Sequence, residues 1–285
     1  MGKMVCRAVF FAVPAAFAVL AAAFCIRPPV LLVTDAAFED LYGRGRSRAK
    51  RLELSFKLFR RITTVEIDGD AGADLAAFAA AEAQASPYCV LFPYRYYQGA
   101  RRYARLFPRV PVAVLGGRGH DDAGIPGFIP TDTEADFYRA GICAAVLAPE
   151  GTVLVLGEPP PREREAFLAG LRAGGYGEMP RYAAGSGDGS LRADCMVIAG
   201  PGSFLFAQFS RAPVILFSWI DPGLVPRECR VLFDDSPWAL AAEAAAMAVR
   251  GDFGPLPSKA LVLQGRVAEK GVLQSLKAAV RAAGW

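Results

Sequence analysis

The chain has 285 residues, 53% of them hydrophobic and 21% charged, with a formal net charge of +4. That length suits one large α/β domain or two lobes of roughly 120 residues each, with ample apolar material for a core. The weak positive balance comes from short arginine clusters without a recognition motif, which argues against nucleic-acid binding, and six scattered cysteines without a CxxC pair do not make a disulfide framework or a metal site.

Residues 1–27 have the layout of an export signal or a membrane anchor. Lys3 and Arg7 form a positive start, Ala8 to Ile26 is uncharged and apolar, and Arg27-Pro28-Pro29 ends the pattern. Cys25, behind Leu20-Ala-Ala-Ala-Phe24, is a candidate for lipidation, although the bulky Phe24 is a poor match to the small residue expected before a processed cysteine. An uncleaved anchor and cleavage near Ala23 stand beside it. Each variant places the chain outside the cytoplasm, and the first two tether it to the membrane.

From Val30 onward, strands and helices alternate. Val30–Thr34 is an apolar run closed by Asp35, and a basic amphipathic helix is predicted from about Asp40 to Arg60. Val65–Ile67 reads as a strand, then an Ala-rich helix near Asp74–Ala85, the strand Tyr88–Phe92, a helix near Gly99–Leu106 and the strand Val112–Leu115. Gly127–Pro130 is a short extended piece. Thr131-Asp-Thr-Glu134 resembles a capping box opening a helix up to Leu147.

The second half repeats the theme, with strands at Thr152–Leu156, Cys195–Ala199, Val214–Trp219 and Arg230–Phe233. A helix follows over Pro237–Arg250, then a short strand Ala260–Gln264 and a last helix to Ala283. Strands separated by helices of this length imply parallel pairing with right-handed crossovers. The predicted fold class is therefore α/β, with two doubly wound parallel sheets. One lobe would take residues 28–130 plus 233–251, the other 131–232 plus 252–285, with hinges near Pro130, Arg211–Val214 and Cys229–Phe233.

In such sheets ligands bind beyond the carboxyl ends of the strands. The residues there are Asp35, Phe38, Asp40, Phe92, Tyr94, Gly116, Gly117, Gly157, Glu158, Gly200, Trp219, Asp221, Asp234 and Asp235. The set is aromatic, acidic and glycine-rich. Rings can sandwich a planar base or a sugar, and carboxylates accept hydrogen bonds from hydroxyls. A phosphate or a free amino acid would call for an Arg fork or nearby Lys. Catalytic signals are scarce: the single histidine, His120, lies in a Gly/Asp loop, and GxSxG, HExxH and P-loop patterns are absent. No enzyme, metal or cofactor is expected.

Four segments resemble the basic membrane protein family of substrate-binding lipoproteins, which includes purine nucleoside receptors of the type I periplasmic-binding fold. They are Val33-Thr-Asp35 with Asp40, Asp136–Ala145, Gly157 with Phe167-Leu-Ala-Gly170-Leu-Arg-Ala-Gly174, and Asp194–Gly202 with Val214–Asp221. The loops depart from that pattern. Asp40 leads into Leu41-Tyr42-Gly43, Gly157-Glu158-Pro159 stands for Gly-Gly-Met, and Asp234-Asp235 stands where a lysine is usual. The resemblance implies an extracytoplasmic solute-binding protein working with an ABC permease, its ligand a nucleoside or a sugar. The altered loops keep open a ligand-free envelope interaction or sensory module of the same fold. A nucleoside- or sugar-processing enzyme using paired carboxylates is the third reading.

Overall fold

The computed structural model describes residues 18–35, 44–67, 79, 81–83, 86–117, 124–183, 192–200, 211–219, 225, 227–263 and 270–282. Two sheets organise the chain. In the first, β1 (Val30–Asp35), β2 (Ile62–Ile67), β3 (Cys89–Pro93), β4 (Val112–Leu115) and β5 (Phe128–Ile129) lie in the order β2-β1-β3-β4-β5, all parallel. Helix α1 (Arg44–Leu58) follows β1, and α2 (Tyr97–Leu106) follows β3 after a short 3-10 turn.

The second sheet has β6 (Val153–Leu156), β7 (Arg181–Ala183), β8 (Cys195–Ile198), β9 (Val214–Phe217), β10 (Cys229–Asp234) and β11 (Lys259–Val262), ordered β11-β10-β9-β8-β6-β7. Helices α3 (Thr133–Leu147), α4 (Pro161–Ala173) and α6 (Lys270–Ala282) belong to this half.

The strands are apolar on both faces because both faces are covered. Val30 and Leu32 point to one side of the first sheet, against an alanine-rich helix, while Leu31 and Val33 point to the other, against Tyr96 and Tyr103. That alanine-rich helix is α5 (Pro237–Arg250). It follows β10 of the second sheet yet packs on the first, with Ala241, Ala244 and Ala248 turned to β1, β3 and β4. Its start is fixed by Ser236, whose Oγ accepts from Ala239 N–H at 3.3 Å, and by Pro237 in the first turn; Gly251 ends it at φ 69°.

The chain therefore passes between the sheets three times: over Pro130–Asp132, over Asp235–Ser236, and over Leu256–Ser258. The first and third passages run side by side, with Leu256 N–H donating to the Pro130 carbonyl at 2.9 Å and Asp132 N–H to the Leu256 carbonyl at 3.1 Å. Arg211–Val214, expected as a hinge, leads into β9 within the second sheet and crosses nothing. Asp234, the last residue of β10, still pairs with Lys259 there.

Helices α3 and α4 cross at contact distance because glycines face each other: a methyl on Gly141 or Gly170 would overlap the Phe167 or Tyr138 carbonyl oxygen. Two local expectations change. The cap of α3 is Asp132, which accepts from Ala135 N–H at 3.0 Å, and not Thr131, whose hydroxyl goes elsewhere. The last strand, β11, runs antiparallel to β10, the one such pair among the described strands, and the edge strand β7 was not foreseen.

Cys89, Cys143, Cys195 and Cys229 are buried thiols outside any disulfide among the described residues, whereas Cys25 is exposed. Burial pushes the Cys89 thiol up to about 12 against the pull of Arg60, and the Cys143 thiol likewise to about 12 against Arg139. These are inert core groups. No helix among the described residues is long and apolar enough to cross a membrane.

Candidate functional site

Parallel strands deliver their carboxyl ends to one edge of each sheet, and the three passages hold those edges together. In the first half the edge carries Tyr94 after β3 and Gly116-Gly117 after β4. In the second it carries Gly157-Glu158 after β6, Gly200 after β8, Ser218-Trp219 after β9 and Asp235 after β10. Two of the glycines are dictated by close approach. Gly117 (φ 85°) gives way to the Tyr94 ring, whose nearest atom would lie 2.6 Å from an added Cβ. Gly157 (φ 99°) lies against Gly200, where a Cβ would meet the backbone nitrogen at 2.6 Å. Side chains larger than hydrogen would push these strand ends apart.

Asp235 joins the two halves. Its carboxylate accepts from Thr131 Oγ on the first passage at 2.9 Å and from Ser218 Oγ beyond β9 at 2.7 Å. The Asp235 N–H in turn donates to Ser218 Oγ at 2.9 Å, so that one serine fixes both ends of the residue. Gly116 stands beside it: an added Cβ there would lie 3.7 Å from Asp235 Oδ2.

A second buried node lies behind Trp219. Asp136 and Arg139, one turn apart on α3, are both buried and form an ion pair. Asp136 also accepts from Ser258 N–H at 2.9 Å, from Ser258 Oγ, and from the Trp219 indole N–H at 3.3 Å. Arg139 donates further to the Ser258 carbonyl at 3.1 Å and the Ala135 carbonyl at 3.0 Å. Burial pushes the Asp136 carboxyl up to about 7, while Arg139, Ser258 and Trp219 pull it down. The node ties α3 to the third passage and fixes the indole. Its ring packs 4.7 Å from Phe217 and 6.0 Å from Phe137.

The predicted site residues divide into groups. Tyr94 is half-buried, stacked on Tyr97 at 5.7 Å and tilted against Phe128 at 5.6 Å. Gly157 and Gly200 touch, as described. Glu158 is exposed and, with Arg164 and Tyr182, borders a recess of ≈ 220 Å³ beside Gly157. The Arg164 guanidinium lies 4.4 Å above the Tyr182 ring.

Phe92 is a correction. It is fully buried and its ring, 6.3 Å from Tyr103, belongs to the core of the first sheet, because the pleat turns it inward. Asp234 is a second correction. Strand alternation turns it away from Asp235, into a groove of ≈ 590 Å³ between α1, α5 and β11 lined by Leu54, Lys57 and Lys259. There Oδ1 accepts from Ser236 N–H at 2.9 Å, and Oδ2 has no hydrogen-bond partner among the described residues. Burial pushes this carboxyl up to about 7, with Asp235 adding to the shift against two bonds from Ser236. Asp35 ends β1 opposite Ile67, and nothing is described beyond its backbone. Phe38, Asp40, Asp221 and His120 lie outside the described residues.

The residues that sequence reasoning missed are Thr131, Asp136, Arg139, Ser218 and Ser258. Asp136 and Ser258 are 122 positions apart, and no local spacing links them. Arg139 gave one signal, a cation within an apolar helix, which is a reason to seek a buried partner. Among the described residues no group of three His, Cys, Asp or Glu side chains is placed to hold a metal.

No family model matches the chain, and no curated protein matches it. Solved structures do. An ABC transporter system solute-binding protein from Conexibacter woesei superposes with a TM-score of 0.56 at 15% identity, over 90% of this chain and 95% of that one. A transcriptional activator of the comK gene from Bacillus halodurans superposes with a TM-score of 0.53 at 14% identity, over 89% of this chain and 96% of that one. Likeness at such identity is a likeness of fold. The chain accordingly has the two-lobed architecture of type I periplasmic-binding proteins, two largely parallel sheets joined by three passages.

Proposed function

We propose that the chain is an extracytoplasmic solute-binding protein of an ABC-type import system. It would take a small neutral hydroxylated ligand, a nucleoside in preference to a sugar, in the gap between its lobes. The observation that carries the reading is the convergence on Asp235: strand ends from both sheets meet at one carboxylate, held by Thr131 and Ser218, with Gly116 beside it.

The chemistry at these ends supports a neutral ligand. Tyr94 and Trp219 offer rings, Ser218 and Thr131 hydroxyls, Glu158 a carboxylate, and Gly117, Gly157 and Gly200 bare backbone. The described cations nearest these ends, Arg95 after Tyr94 and Arg164 beside Gly157, lie over the Tyr96 and Tyr182 rings at 5.2 and 4.4 Å, each on a different lobe, and do not form a fork for a phosphate or a carboxylate. A planar base could lie on a ring while ribose hydroxyls reach acidic and backbone acceptors. The passages are short, so closure would be a hinge motion about Thr131, Asp235 and Leu256, burying the rings and the ligand together. Lobe division at those passages, tethering through the N-terminal segment or a lipid on Cys25, and delivery to a permease belong to the same reading.

The second reading is a ligand-free interaction or sensory module. It is favoured by Trp219, whose N–H is already engaged by Asp136 and whose ring packs on Phe217. The two are separated by mass spectrometry of small molecules released on denaturing protein purified from its native host. A stoichiometric nucleoside or sugar supports the receptor. Its absence, together with a co-purifying envelope protein, supports the module.

A further inference from the structure

The chain carries an apolar stripe on the outside of the first lobe. On α1, Arg48, Leu52 and Phe56 fall at successive i, i+4 positions, and all three face outward; Leu52 is 55% and Phe56 80% exposed. Leu54, on the opposite side, is the buried residue that packs the helix down. Just past the helix end, Phe59 adopts φ 49°, unusual for a bulky residue, and its ring meets Phe24 edge-on at 5.8 Å with the Arg27 guanidinium 4.8 Å above it. The helical stretch 18–26 thus arrives at the end of this stripe, and it too is apolar and open, Val19 being 68% and Ile26 82% exposed. Around both run the exposed cations Arg27, Arg48, Arg51 and Arg61, with Lys57 paired to Glu243 of α5 at 3.0 Å and the one carboxylate of α1, Glu53, paired to Lys50 at 3.1 Å.

Large exposed apolar groups framed by cations are what an interfacial amphipathic helix presents. A protein partner would cover the rings but leave the cation excess without counter-charge. An anionic lipid surface satisfies both, since acyl chains take Leu52 and Phe56 while headgroups take the arginines. Continuity with the apolar N-terminal segment picks the same occupant, because whatever holds residues 18–26 meets Phe59 as well.

We infer that α1 and the stretch 18–26 form the face by which this chain lies on an anionic membrane, with the outer side of the first lobe turned to the lipid. The inference rests on the tethered reading of the N-terminus and is independent of the ligand. Each Lys or Arg near an anionic surface strengthens attachment by about fivefold, and salt screens it.

The test uses the full chain reconstituted on vesicles of brominated phosphatidylcholine with and without phosphatidylserine. Tryptophan is introduced by Phe56→Trp, by Leu52→Trp as a second reporter in case the first misfolds, and by Met179→Trp on the second lobe as control; folding is checked by circular dichroism. The expected result is several-fold stronger quenching of the α1 reporters than of the Met179 control, reduced by salt and by omitting phosphatidylserine. Equal quenching with the chain still on the vesicles overturns the docking and leaves the tether standing. A chain that floats free of vesicles overturns both. A reporter at 56 that is already shielded without lipid shows that a second copy or the N-terminal segment covers the stripe, and it too overturns the proposal.

Discussion

Replacing Asp136 by Asn is the sharpest probe of how the lobes are joined. The carboxylate is fully buried and has four donors: Arg139, Ser258 N–H, Ser258 Oγ and the Trp219 indole. An amide keeps one acceptor oxygen and turns an N–H₂ toward groups that donate. Breaking a buried pair from one side costs about 3–5 kcal/mol, because the remaining charge stays uncompensated. Arg139 keeps its bonds to the Ala135 and Ser258 carbonyls, which puts the expected loss at the lower end, about 3 kcal/mol. Urea denaturation followed by tryptophan fluorescence and circular dichroism should give that loss with an unchanged slope. The half-exposed pair Lys57–Glu243, at 3.0 Å, is the reference; Glu243 keeps Lys259 at 2.9 Å, and Lys57→Met should cost below about 1 kcal/mol. An Asp136→Asn loss as small as the Lys57→Met loss would refute the idea that this node holds α3, the third passage and Trp219 together.

Other outcomes follow from the same geometry. Asp234 is held above the ordinary carboxylate range, at about 7, so the folded chain keeps a proton that the unfolded chain releases near pH 4. Stability is therefore lost as pH rises from about 4 to about 7, with Asp136, also held at about 7, contributing a slope of the same sign; Asp234→Asn should remove its own share of the slope, leave that of Asp136, and gain on the order of 2 kcal/mol more at pH 8 than at pH 5 in urea midpoints. An unchanged pH slope would show that the groove does not hold the proton. Gly170→Ala forces a methyl against the Tyr138 carbonyl and should cost about 1–3 kcal/mol, whereas Gly177→Ala, with open space around it, should cost far less. Gly157→Ala combines a left-handed φ with a clash on Gly200, and should weaken any ligand binding more than it lowers the melting temperature.

The layered fold was legible because its signals are local. Thr152–Leu156 is an unbroken apolar run between turn residues, and Phe167 to Gly174 carries small residues at helical spacing; both elements stand where they were expected. The antiparallel direction of β11 was not legible, since hydrophobic periodicity is the same in either direction. Nor was β7, three half-exposed residues at a sheet edge. Thr131 misled because a threonine before Thr-Glu has the form of a cap, but its hydroxyl is claimed by Asp235, 104 residues away. A separation of 122 positions likewise hid the Asp136–Ser258 pair. Alternation within β10 decided which of two adjacent acids faces the passages: Asp235 does, and Asp234 does not.

The most direct measurement is isothermal titration calorimetry of the full chain in detergent against nucleosides and neutral sugars, repeated on Trp219→Ala. Saturable one-to-one binding of a nucleoside or a sugar, weakened by loss of the indole, is the predicted result. No heat with any of these compounds, or equal affinity without Trp219, would contradict a ligand held between the lobes.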